Sequence, residues 1–208
     1  MIRFMTAVGA TLVVAAVALP ASAQVPERPL REAAFKTCAE AQAMPAEERR
    51  ALALNFADAA ARHYQTQIAN DEKVGEELGW LVRSACTMAP EAYLSTVVAR
   101  AVRVVGGGTE PPLQQPLDMT QAVFASCSGT KALPPEQLKE LTTFIATEAA
   151  AYYGLTPGPE WTPDYVAALV HNVCQMYPDM YYLAIVGHAV RTASEHTETP
   201  PQPVQGRR

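Results

Sequence analysis

"CTMAPEAYLSTVVARAVR", from Cys86 to Arg103, returns as "CQMYPDMYYLAIVGHAVR", from Cys174 to Arg191. At this shift of 88 residues Cys86, Met88, Pro90, Tyr93, Val98 and Ala101-Val102-Arg103 fall on Cys174, Met176, Pro178, Tyr181, Val186 and Ala189-Val190-Arg191. Upstream, with the shift one residue longer, Phe35, Thr37-Cys38 and Met44-Pro45 meet Phe124, Ser126-Cys127 and Leu133-Pro134. Self-similarity at a fixed spacing marks an internal duplication.

Inside each copy the apolar period is helical. Leu52, Phe56, Ala60 and Tyr64 stand four apart, as do Leu141, Ile145, Ala149 and Tyr153, so one face of this long segment is apolar in both copies. Pro45 and Pro134 sit at its start, where a missing amide costs nothing, and acids follow in the first turn. A third helix is expected after Asp71 and from Thr162-Pro163-Asp164, running to the second cysteine. Pro90 and Pro178 then end it and open a fourth, which buries Tyr93, Val97 and Ala101 or Tyr181, Ile185 and Ala189. The methionines Met88 and Met176 are expected to pack between these helices. With no strand-like alternation of useful length, the fold class is all-α: two tandem small helical domains of about four helices each.

The boundaries follow from composition. Arg3, an apolar run from Ala7 to Leu19 and the sequence Ala21-Ser22-Ala23 predict a secretory signal over 1–23, cut after Ala23. Residues 24–34 read as a flexible segment and 35–103 as the first repeat. Gly106-Gly107-Gly108, Pro111-Pro112 and Pro116 make 104–118 a linker, flexible and then extended. The second repeat spans 119–192, and 193–208 is expected to be a disordered tail.

Four cysteines in an exported chain argue for disulfides, and four allow three pairings. A unit of this size has a marginal core and gains from a covalent staple. Pairing Cys38 with Cys86 and Cys127 with Cys174 gives each copy one, worth about 4 kcal/mol in the chain-entropy model. A cross-copy pairing would have to arise after duplication and break its symmetry.

The rest of the chain excludes more than it offers. With 21 acids against 16 basic residues there is no basic stripe for nucleic acid and no basic amphipathic helix for a membrane once the signal is removed. There is no C-x-x-C, no H-E-x-x-H, no glycine-rich phosphate loop and no G-x-S-x-G. His171 shares a helix face with Cys174, but its counterpart is Arg83, and His63 and His188 align with Tyr152 and Arg100. The sequence therefore predicts no catalytic, cofactor-binding or metal-binding residues, and no enzyme.

"TCAEA" at Thr37 to Ala41, the cysteine 48 residues after Cys38 and the helical "LVRSACTMAPEAYLSTV" around it resemble the HdeA/HdeB acid-stress chaperones of the bacterial periplasm. "SCSGT" and "LVHNVCQMYPDMYYLAIV" carry the same plan, with the cysteines 47 apart. The resemblance implies a periplasmic, ATP-independent holdase, folded at neutral pH and loosened by acid so that apolar surface meets unfolding clients. Family members are single units that pair as dimers, so the two repeats are expected to pack as an intramolecular pseudo-dimer. The candidate client-binding faces are then those of Phe56, Tyr64, Tyr93, Val97, Ile145, Tyr153, Tyr181 and Ile185. The alternative is a periplasmic inhibitor or immunity protein binding one specific toxin or hydrolase. The partner is in either case a protein.

Overall fold

The computed structural model describes residues 27–68, 72–156 and 162–197. The expected signal over 1–23 and residues 198–208 lie outside the described residues. The first half of the chain contains α1 (Glu27–Ala33), α2 (Cys38–Gln42), α3 (Ala46–His63), α4 (Glu72–Met88) and α5 (Leu94–Gly106). The second contains α6 (Met119–Phe124), α7 (Cys127–Thr130), α8 (Pro135–Tyr153), α9 (Pro163–Met176) and α10 (Tyr182–Thr197). The fold is all-α, and extended pairing among the described residues is confined to two isolated bridges, Thr37 to Tyr93 and Ser126 to Tyr181. The bridges are equivalent under the duplication.

Local chemistry explains the helix ends. Thr37 caps α2 in a capping box with Glu40, whose carboxylate accepts from the Thr37 N–H at 2.6 Å. Ser126 caps α7 by accepting from the Gly129 N–H, and Thr162 caps α9 ahead of Pro163. Pro45 and Pro134 take the N-cap positions of α3 and α8, with Glu47, Glu48 and Glu136 in the first turns. Gly107 and Gly154 close α5 and α8 with φ of 64° and 65°, the left-handed conformation that glycine adopts without a Cβ clash.

Both disulfides form within a half: Cys38 to Cys86, and Cys127 to Cys174, tying the start of α2 or α7 to the end of α4 or α9. The proline after each does something other than open the next helix. α5 and α10 begin only at Leu94 and Tyr182. The Pro90 carbonyl accepts from the Ala39 N–H and the Pro178 carbonyl from the Ser128 N–H, both at 2.8 Å. The turn thus pins the neighbouring helix start beside the cysteine. Nor do the methionines pack between helices: Met88 is 81% and Met176 65% exposed, because each falls on the outer side of the last helical turn when its cysteine points inward.

Three boundaries differ from expectation. Residues 24–34, expected to be flexible, include α1, which buries Leu30 and Ala33, and Ala34 after it is buried too. Leu30 is the counterpart of Met119, so α1 and α6 are the same element and each half holds five helices. Residues 104–118, expected to be a flexible linker, finish α5 and then lie against the protein. The Thr66 hydroxyl donates to the Gly106 carbonyl at 2.7 Å, Leu113 and Leu117 pack on the core, and Glu110 binds Ser126. At the other end α10 continues to Thr197, past the expected boundary at 192. Finally, one continuous cluster of buried side chains runs through both halves.

Candidate functional site

The most chemically distinctive part of the molecule is the seam where the halves meet. Tyr64 ends α3, and its hydroxyl donates to the Phe124 carbonyl at 3.0 Å and lies 3.4 Å from the Tyr181 hydroxyl. Tyr153 ends α8, and its hydroxyl donates to that of Tyr93 at 2.9 Å. Tyr64 corresponds to Tyr153, and Tyr93 to Tyr181. The two contacts are therefore one contact made twice, first half to second and second half to first, which is the pattern of an isologous interface.

Aromatic packing repeats the exchange. The Phe124 ring lies 6.3 Å from Tyr64 and 5.7 Å from His63. Its counterpart Phe35 lies 6.4 Å from Tyr153 and 5.9 Å from Tyr152. Both phenylalanines are fully buried. Close approach needs Gly187 on α10, where an added Cβ would come within 2.9 Å of the Tyr93 hydroxyl and 3.1 Å of the Phe35 ring. Burial pushes the hydroxyls of Tyr64, Tyr93, Tyr153 and Tyr181 upward, so all four stay protonated near neutrality.

His63 breaks the symmetry. It stands where the second half has Tyr152, is buried, and its Nε2 has no hydrogen-bond partner. Burial lowers its pKa to about 4, Asp118 pulling the other way and Arg103 reinforcing the shift. The ring is neutral at pH 7. A buried polar atom without a partner is unusual and costs stability.

Charged residues at the rim are also unequal. Arg191 on α10 pairs with Glu91 of the first half at 3.0 Å. The corresponding Arg103 instead sits over the Tyr64 ring, 5.4 Å from its centre. With Arg100, Asp179, Tyr181 and Gly107 it lines an open cleft of about 390 Å³.

The sequence-derived candidates are thus placed inside. Phe56, Tyr64, Tyr93, Ile145, Tyr181 and Ile185 are buried, and Val97 and Tyr153 half-buried. None is part of a broad exposed apolar face in the folded protein. Tyr64, Tyr93, Tyr153 and Tyr181 come together at the seam, while Phe56 and Ile145 are core residues. Spacing alone missed Phe35, Phe124 and His63. The signal for the first two was present: they are matched aromatics in both copies.

Among the described residues no catalytic constellation is assembled. All four cysteines are in disulfides, and His171 is exposed and hydrogen-bonded to Gln175. Among the described residues no group of three or more His, Cys, Asp or Glu is placed to hold a metal, and no helix is long and apolar enough to cross a membrane. No family model, curated protein or solved structure matches the chain.

Proposed function

We propose that the protein is an exported, ATP-independent holdase-type chaperone that acid loosens, so that the apolar seam becomes available to unfolding client proteins. The observation that carries this reading is the seam itself, an aromatic interface inside one chain closed over a neutral histidine with an unpartnered nitrogen. Protonating His63 places a charge in a buried site where Asp118 offsets only part of the desolvation cost, and the rings of Phe35, Phe124, Tyr64 and Tyr153 are what separation of the halves uncovers. The disulfides hold α2 to α4 and α7 to α9, so each half keeps its shape while the seam opens. The resemblance to the HdeA/HdeB family points the same way.

The test is direct. Purified protein should suppress aggregation of an unrelated unfolding protein, and bind an apolar dye, between about pH 2 and 5, where carboxylates and this histidine titrate, and do neither near pH 7. Absence of both effects across that range sinks the proposal. So does stoichiometric capture of one partner at neutrality without any activity in acid.

A further inference from the structure

α9 carries an apolar stripe that the fold leaves uncovered. Tyr165, Leu169 and Met176 stand on one helical face, with Ala168 and Asn172 between them, and Tyr177 and Met180 continue it past the helix end. The five large side chains are between 40 and 65% exposed. α9 is held from its other side, where Val166, Val170 and Cys174 are buried. The stripe is therefore not a core face waiting for its own fold.

The equivalent helix is different. α4 presents Glu72, Lys73, Glu76, Glu77 and Arg83 to solvent, together with the apolar Trp80 and Met88. Along α9 the only formally charged residue is Asp164, and Lys139 neutralises it at 2.8 Å. Tyr165 stands where α4 has Glu77. Leu169 and Met176 repeat Leu81 and Met88, so the second copy enlarges the apolar stripe through Tyr165 in place of Glu77 and through Tyr177 and Met180 where the first copy has Ala89 and Ala92. That composition, poor in charge and rich in tyrosine and methionine, distinguishes the centre of a binding surface from the rest of a protein exterior.

Size decides what fits. A stable dimer needs about 800 Å² from each partner, spread over some 20 to 30 residues. The stripe from Tyr165 to Met176 is only about 16 Å long at the helical rise. It is suited to the few anchor side chains of one short segment, and methionine adapts to varied partners.

We propose that this face docks a short, uncharged, apolar segment of an unfolded polypeptide while the protein is fully folded, separately from the seam. The idea rests on the client-binding reading above and adds a site to it. The probe is a fluorescein-labelled nonapeptide of Leu, Phe, Gly and Ser, titrated at pH 7 and followed by anisotropy. Saturable binding is expected. It should weaken at least tenfold for the double variant Leu169→Glu, Met176→Glu, remain unchanged for Trp80→Glu on α4, and weaken similarly when Lys and Asp replace the peptide's apolar residues. Circular dichroism confirms that each variant is folded.

Absence of saturable binding, or binding unchanged in the double variant, overturns the inference. A dimer seen by sedimentation velocity and abolished by the same variant also overturns it, because the occupant is then a second copy. Suppression of aggregation in acid, measured on the wild type, reads the seam and not this face. Loss of peptide binding with acid activity intact therefore counts against the α9 site alone.

Discussion

Glu110 accepts a hydrogen bond from the Ser126 N–H at 2.7 Å and a second from the Ser126 hydroxyl, the part that Glu40 plays for Thr37 in the first half. The position aligned with Glu40 is Gly129, and a Cβ added there would lie 2.1 Å from the Glu110 carboxylate. Duplication kept the cap and changed its donor segment. A carboxylate from the joining stretch occupies space that a glycine leaves free.

That exchange predicts a rescue. Glu110→Ala should cost about 1 to 2 kcal/mol in urea unfolding, the usual worth of a lost cap, and Gly129→Ala alone a similar amount through the clash. Glu110→Ala with Gly129→Glu restores the arrangement of the first half and should recover most of the loss. If the double variant is no more stable than Glu110→Ala, the equivalence of the two carboxylates is wrong.

His63 predicts a pH-dependent loss of stability of definite sign. The unfolded ring titrates near 6.5 and the folded one near 4, so above 6.5 both states are neutral and nothing is lost. Between these values the unfolded state alone takes up the proton. Stability then falls by about 1.4 kcal/mol per pH unit, reaching roughly 3 kcal/mol below pH 4. Other groups titrate too, so the readout is the difference between wild type and His63→Phe. That difference should shift by about 3 kcal/mol in favour of the variant between pH 7 and pH 4.

The two tyrosine bridges should prove unequal. Tyr64→Phe leaves the buried Phe124 carbonyl without its hydroxyl donor, a loss of about 1 to 3 kcal/mol. Tyr153→Phe removes a bond between two hydroxyls at a half-buried position and should cost about 1 kcal/mol. Chemical denaturation at pH 7 ranks them, and the reverse order would contradict the seam described above.

The disulfides predict a local difference as well. Cys86 is the only buried residue of α4, whereas α9 also buries Val166 and Val170. In the pair Cys38→Ala, Cys86→Ala, hydrogen exchange in α4 should accelerate more than exchange in α9 does when Cys127 and Cys174 are replaced. Uniform acceleration across the chain would show that the first staple supports the whole fold instead of one helix.

The helices and the cysteine pairing were legible because they are written locally or twice: four-residue spacing, the cap at Thr162, and cysteines repeated in register. What escaped depended on distance or direction. α1 is only seven residues long, and Leu30 and Ala33, its two residues described as buried, are too few to show a helical period by themselves. Glu110 acts across sixteen positions, beyond any capping pattern. The apolar period correctly marked Tyr64 and Tyr153 as inward-facing, but inward is the same direction whether the neighbour is the residue's own half or the other. Met88 and Met176 misled in the opposite sense: expected between helices, they lie outside because each falls on the outer side of the last turn when its cysteine points inward.

The halves remain joined through residues 107–117 whatever happens at the seam. If acid parts them as proposed, parting and rejoining would be first-order events, with rates and a midpoint that do not change on dilution, unlike those of two separate chains. The molecule would respond alike whether scarce or abundant. On return to neutrality each half would recover its own partner without a search, leaving reclosure to compete only with whatever the exposed rings still hold.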